Sequence, residues 1–139
     1  MSATPFVHPV TVRYFEVDQQ RVVFNMWYLA YFDDTMTAFL LDRDLPYKKM
    51  VESGYDIQVV HTEIDWRGSL AADEQAEVRL ALAKVGRTSF TLQFEVRCGD
   101  RLVAMASTVY VAVATDGSGK CEIPAELRAV LGPISPLWE

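Results

Sequence analysis

The sequence predicts an α+β fold: a curved five-stranded antiparallel sheet wrapped around one long central helix. Three observations carry that prediction. Beyond residue 55 the apolar residues fall with period two in four successive segments. Between Asn25 and about Asp42 one segment follows helical spacing, and its first half is apolar nearly all round. A helix of that kind must be enclosed, not laid on a surface. The chain has 139 residues, most simply a single domain spanning 1–139. A domain of that length buries roughly two-thirds of its unfolded surface and needs no disulfide staples.

Residues 7–14, VHPVTVRY, alternate well enough for a strand, with Pro9 near its start or on a sheet edge. Residues 15–24 form a loop. The helix follows from Asn25, whose side-chain oxygen can cap an orphan N–H of the first turn. Leu29, Phe32, Met36 and Phe39 or Leu40 take helical spacing, and Trp27, Tyr28, Tyr31 and Leu41 fill much of the remaining circumference. Pro46 can open a second short helix that Gly54 stops. Strands are expected at Tyr55–Trp66, Glu74–Val85, Thr88–Arg97 and Leu102–Ala114. In the third, Phe90, Leu92, Phe94 and Val96 point inward while Ser89, Thr91, Gln93, Glu95 and Arg97 point outward. The fourth is apolar or small on both faces, so both can be covered. Gly99-Asp100 signals a tight hairpin, Asp116-Gly-Ser-Gly a turn, and Pro124–Leu131 a closing helix ended by Gly132 and Pro133. Long strands joined by short turns favour an antiparallel meander. One sheet with one apolar face and one enclosed helix are buried most economically by wrapping the first around the second.

Composition excludes several classes. The net charge is -6 and the pI about 4.9. General binding to nucleic acid or an anionic membrane needs the opposite balance. Cys98 and Cys121 lie in no CxxC or Cys/His spacing, and the N-terminus lacks the basic and apolar regions of a signal peptide. A reducing cytoplasm is the simplest expectation. No apolar run approaches the ~18 residues of a membrane span. Neither His8 nor His61 has a second histidine at metal-like spacing, so no metal is expected. Ser69, in Gly-Ser-Leu-Ala-Ala, lacks the second glycine of a nucleophile elbow.

The segment Tyr14-Phe-Glu-Val-Asp18, followed by Val22-Val-Phe-Asn25 and Tyr28-Leu-Ala-Tyr-Phe-Asp33, resembles the 4-hydroxybenzoyl-CoA thioesterase family, which has the hot-dog fold. The resemblance covers essentially the whole chain. It continues, less specifically, in Lys84-Val-Gly-Arg-Thr-Ser-Phe90 and Ile123-Pro-Ala-Glu-Leu-Arg128. It implies hydrolysis of acyl-CoA thioesters, with CoA as part of the substrate and no separate cofactor. It implies a catalytic carboxylate at Asp18 and a polarising backbone N–H at the start of the long helix, at or next to Asn25. It places nucleotide and pantetheine contacts near two turns, where Arg67, Lys84, Arg87 and Ser89 stand, and lets Tyr28 line an acyl tunnel. It also implies a homodimer or homotetramer whose sheets join edge to edge, with sites between subunits. The chain departs from the pattern at Arg21, where the family usually has glycine. If that position needs φ > 0, Arg21 strains the loop.

The chemistry suits these residues. A helix start presents unpaired N–H donors and a partial positive charge, an oxyanion site that needs no dedicated side chain. The same field favours an ionised Asp18 as general base or nucleophile. Without the resemblance, Glu16 and Asp18 read as solvated or capping loop acids, and even with it Glu16 reads as structural. Asp33 and Asp34 interrupt the apolar helix and are a second carboxylate candidate, although such residues more often mark a helix's wet stripe. Asn25 reads as the cap, Tyr28 as core, and each cation singly as a solvated hairpin charge. The rival functions are a non-catalytic acyl-CoA-binding protein and a dehydratase. The dehydratase would need a histidine beside an acid in the site, a setting that neither histidine has in sequence.

Overall fold

The computed structural model describes residues 5–139. Five long strands form one antiparallel sheet: β1 (Phe6–Thr11), β2 (Tyr55–Trp66), β3 (Gln75–Val85), β4 (Ser89–Cys98) and β5 (Arg101–Ala114). Their spatial order is β1-β3-β4-β5-β2. A two-residue strand, β6 (Gly119–Lys120), folds back on the end of β5 after the Asp116 turn. The two edge strands β1 and β2 are consecutive in sequence. Between them run α1 (Trp27–Asp42) and the short α2 (Tyr47–Glu52), so the long helix crosses the sheet from edge to edge. A third helix, α3 (Ala125–Leu131), closes the chain.

Apolar burial holds this arrangement. The predicted inward row of β4 (Phe90, Leu92, Phe94 and Val96) is at most 1% exposed. Phe32 of α1 lies on Phe94 with ring centroids 4.9 Å apart, and Phe39 meets Phe6 of β1 edge-on at 5.5 Å. Each such large side chain contributes about 1.5–3 kcal/mol by leaving water. The helix packs more closely on β1 and β3 than on β2.

Four local features depart from the sequence reading. β1 ends at Thr11, because the Glu16 carboxylate accepts the Arg13 N–H at 2.9 Å and draws Tyr14–Glu16 into a 3-10 turn. The helix begins at Trp27, and Asn25 is not its cap. Trp27 N–H bonds Phe24 O and Tyr28 N–H bonds Asn25 O, a tight entry turn that leaves Met26 at the cap position with no side-chain bond. Gln93 and Glu95 point outward but are only 8% exposed. The C-terminal segment lies over that face: Leu137 N–H donates to Gln93 Oε1 at 2.7 Å, and Gln93 Nε2 donates to Trp138 O at 3.1 Å. The fourth feature is β6, in what reads as a turn alone.

Candidate active site

The site grows from a miniature hairpin over residues 16–24. Phe24 N–H donates to Glu16 O, Val17 bridges Val23, and Asp18 N–H donates to Val22 O at 2.9 Å. At its tip Arg21 N–H donates to Asp18 O at 2.9 Å, and Arg21 has φ 67°. A three-residue connection of this type closes with a left-handed residue, usually glycine. The resemblance put the family glycine at this position, and here Arg21 takes the strained conformation. Val23 N–H donates to Leu70 O and ties the hairpin to the loop after β2. A second tie reaches the helix: Glu16, 7% exposed, accepts the Tyr31 hydroxyl at 2.9 Å. Glu16 is therefore a brace.

Asp18 is half-buried. Its Oδ1 accepts the Gln20 N–H at 2.8 Å, and its Oδ2 has no hydrogen-bond partner among the described residues. The carboxylate lines a cavity of about 490 Å³ with Tyr14, Phe15, Val17, Arg21 and Ala72. The hairpin leads straight into the start of α1. There the backbone N–H groups of Asn25 and Met26 also have no partner among the described residues. Both amides fall at or next to Asn25, where the resemblance points for the polarising donor. Among the described residues the Asn25 side chain neither caps the helix nor makes a hydrogen bond.

The remaining candidates are dispersed. Arg67 follows β2, beside the loop that carries Leu70 and Ala72. Lys84, Arg87 and Ser89 occupy the β3–β4 hairpin at the other end of the sheet. Ala104 of β5 pairs with Trp66 and Val111 pairs with Ser89, so about seven residues, roughly 23 Å, separate the two ends. One chain therefore does not bring these cations together. Arg87 already donates to Glu122 at 2.9 Å, and Arg128 donates to Gly86 O in the same hairpin. Tyr28 is 1% exposed and packs edge-on against Tyr31 and Trp66. Burial above all pushes its phenol up to about 12. In the single chain Tyr28 is a core residue and offers a substrate no surface.

Among the other acids, Asp34 pairs with His8 at 2.8 Å across the helix–β1 gap, while Asp33 is exposed and lines two further cavities. His61 pairs with Glu63 on the exposed face of β2. Ser69 offers its carbonyl to Arg101, which also holds Glu74. The Glu74 carboxylate is held below its usual range, first by the Ala71 N–H. No cluster of three or more metal-ligating side chains exists among the described residues. No described helix is long and apolar enough to cross a membrane.

The pattern of a thioesterase-like superfamily matches residues 12–131. The chain belongs to that superfamily. A protein of Aquifex aeolicus (strain VF5), named provisionally as an esterase, is 31% identical over 128 residues, covering 91% of this chain and 98% of that one. A crystal structure of a hypothetical A. aeolicus protein superposes with TM-score 0.87 at 30% identity, over 91% of this chain and 99% of its own. A Synechocystis 1,4-dihydroxy-2-naphthoyl-CoA thioesterase shares the fold at TM-score 0.85 and 18% identity, over 92% and 96%. A Staphylococcus aureus hypothetical protein solved in complex with CoA shares it at TM-score 0.87 and 15% identity, over 94% and 84%. The fold is the hot-dog fold. Membership of this thioesterase-like superfamily supports a thioester hydrolase.

Proposed function

We propose that this superfamily member hydrolyses acyl-CoA thioesters to the free acid and CoA. One observation carries the reading: a half-buried carboxylate with an uncommitted oxygen stands on a hairpin that ends in two unpartnered N–H groups at the start of the long helix. The thioester carbonyl oxygen accepts from the Asn25 or Met26 amide. Asp18 takes a proton from water as the water oxygen adds to the carbonyl carbon, or attacks that carbon itself. The developing oxyanion is stabilised by donors already fixed in place. The C–S bond then breaks and the CoA thiolate takes up a proton; where Asp18 itself attacked, water then hydrolyses the acyl–aspartate anhydride, which frees the acid and restores the carboxylate. The CoA complex of the S. aureus neighbour and the thioesterase activity in the Synechocystis neighbour's name support CoA as the carrier.

The working unit is a homodimer or a dimer of such dimers. The β2 edge exposes Val59 and Val60, 55% and 54% accessible, and the register with β5 slips between Val59 and His61. A two-fold pairing of β2 with a second β2 sets the Asp18–Arg67 end of one chain beside the Lys84–Ser89 hairpin of the other. Cations 23 Å apart in one chain then serve one CoA. Arg21, strained beside Asp18, favours the alternative of a non-catalytic acyl-CoA-binding protein. A thiol-reactive chromogen with short, medium, long and aromatic acyl-CoAs separates the two. Free CoA released with turnover supports the enzyme. Tight binding with no release overturns it in favour of the binder.

A further inference from the structure

The tip of the 16–24 hairpin carries a residue that folding alone disfavours. Arg21 holds φ 67°, a region that glycine adopts freely and an L side chain adopts at a cost. Backbone strain of that kind persists where the surroundings enforce it, and it concentrates at binding and reaction sites. Two observations bear on what the arginine does there. First, Arg21 lines the cavity of about 490 Å³ that holds Asp18. The other lining residues, Tyr14, Phe15, Val17 and Ala72, carry no charge, so one acid and one cation stand among largely apolar walls. Second, the cation is uncommitted. Arg87, Arg97 and Arg101 each hold a carboxylate within 3.2 Å. Arg21 is exposed, and among the described residues its guanidinium has neither an ion pair nor a hydrogen bond, to Asp18 or to any other group. A strained, unpaired cation beside the reacting carboxylate is placed to meet an anion that arrives with the substrate.

We propose that Arg21 is a specificity-determining residue that binds a carboxylate carried by the acyl group, so that the preferred substrates are CoA monothioesters of short dicarboxylic acids. The inference rests on the thioesterase reading, which places the thioester carbonyl beside Asp18. The Arg21 N–H donates to Asp18 O across the turn, so the guanidinium works within about one side chain's length of the reacting carbon. The phosphates of CoA lie at the far end of the pantetheine arm, away from that carbon. A second carboxylate entering this cavity meets the charge of Asp18, in a chain whose net charge is already -6. Like charges at close range disfavour each other. Arg21 offsets that repulsion, and its planar fork matches a carboxylate with two parallel N–H donors. A neutral acyl chain of the same length gains neither effect.

The test compares thioesters of equal chain length with and without the second carboxylate: glutaryl- against pentanoyl-CoA, and adipoyl- against hexanoyl-CoA, each corrected for release without enzyme. In at least one pair the wild type should show a kcat/KM at least about tenfold higher for the diacid thioester, as one charge-assisted pair contributes. Arg21→Gly relieves the backbone and should fold. It is expected to bring that ratio to one or below, while Arg21→Lys keeps part of it. A wild-type ratio near or below one in both pairs, or a ratio that survives Arg21→Gly, overturns the proposal. So does an Arg21→Gly variant that loses every thioester equally, because the arginine then serves CoA itself. If no thioester releases CoA, the thioesterase reading fails and Arg21 is judged by melting temperature. Glutaryl-CoA must then raise it more than pentanoyl-CoA in the wild type and no more than pentanoyl-CoA in Arg21→Gly. Equal shifts in the wild type overturn the proposal.

Discussion

Arg21 holds a left-handed backbone at φ 67° beside the carboxylate proposed to act on the thioester. A side chain in that region costs roughly 1 kcal/mol or more, which glycine avoids while losing more chain entropy on folding. Arg21→Gly is therefore expected to raise unfolding free energy by about 0.5–1 kcal/mol in urea titrations. A lower value would show that the arginine side chain contributes more than its backbone costs. Glu16 makes a sharper case. It accepts both the Arg13 N–H and the buried Tyr31 hydroxyl. Glu16→Ala strands both donors, each worth about 1–3 kcal/mol when buried and unpaired. The urea midpoint should fall accordingly, and kcat should fall with it as the hairpin loosens from the helix. A wild-type midpoint would show that water replaces the carboxylate at no cost. Asp18 was singled out from the sequence because the motif it resembles is specific. The brace was not, since it joins residues 15 apart through a geometry that no spacing rule encodes.

Strands β2 to β5 were legible almost to their ends because alternation is a local signal that burial on one face enforces. β2 matches its sequence range, and β3, β4 and β5 differ by a residue at most at each end. The outward direction of Gln93 on β4 was legible but its burial was not, because the segment that covers it arrives from residues 137–138, far along the chain. The helix start was misread for a different reason. Asn25 has the propensity of a cap, but the entry turn through Phe24 takes the first donors instead. At this scale the tightest constraint is the β4 row against α1. Phe94→Ala, fully buried under Phe32, should cost about 3–5 kcal/mol in urea unfolding. A loss under ~1 kcal/mol would mean that the helix settles into the gap.

At the scale of the whole molecule, α1 is not enclosed as the sequence reading expects: in the single chain Leu29, Asp33, Asp34, Thr37 and Leu41 form an exposed face, and the opposite face is buried on the sheet. The separation of Arg67 from the 84–89 hairpin was not legible either. Sequence gives both turns and no distance between them. In the proposed dimer a second subunit brings them together, so the dimer and the activity should fail together. Val60→Lys on the β2 edge is expected to shift sedimentation toward the monomer and lower kcat/KM at least about tenfold, since a lysine on an open edge opposes strand pairing. Full activity in a monomer would separate the two. Stability should also depend on pH at the alkaline end. Burial raises the phenols of Tyr28, Tyr31, Tyr55 and Tyr110, that of Tyr28 to about 12. A folded-state pKa above the unfolded value near 10 gives stabilisation that is complete below that value and lost as the pH climbs through the folded one. Urea midpoints should hold to about pH 9 and drop between about pH 10 and 12. A flat profile across that window would show the phenols ionising without unfolding.

The account depends on an ionised side chain at position 18 working next to the amides that open the long helix. The most direct measurement is the turnover of Asp18→Asn on its best acyl-CoA, with folding checked by its melting temperature. The prediction is a kcat lowered by about 10²–10⁴ in a protein that melts close to the wild type. A well-folded variant that releases CoA at nearly the wild-type rate would contradict it.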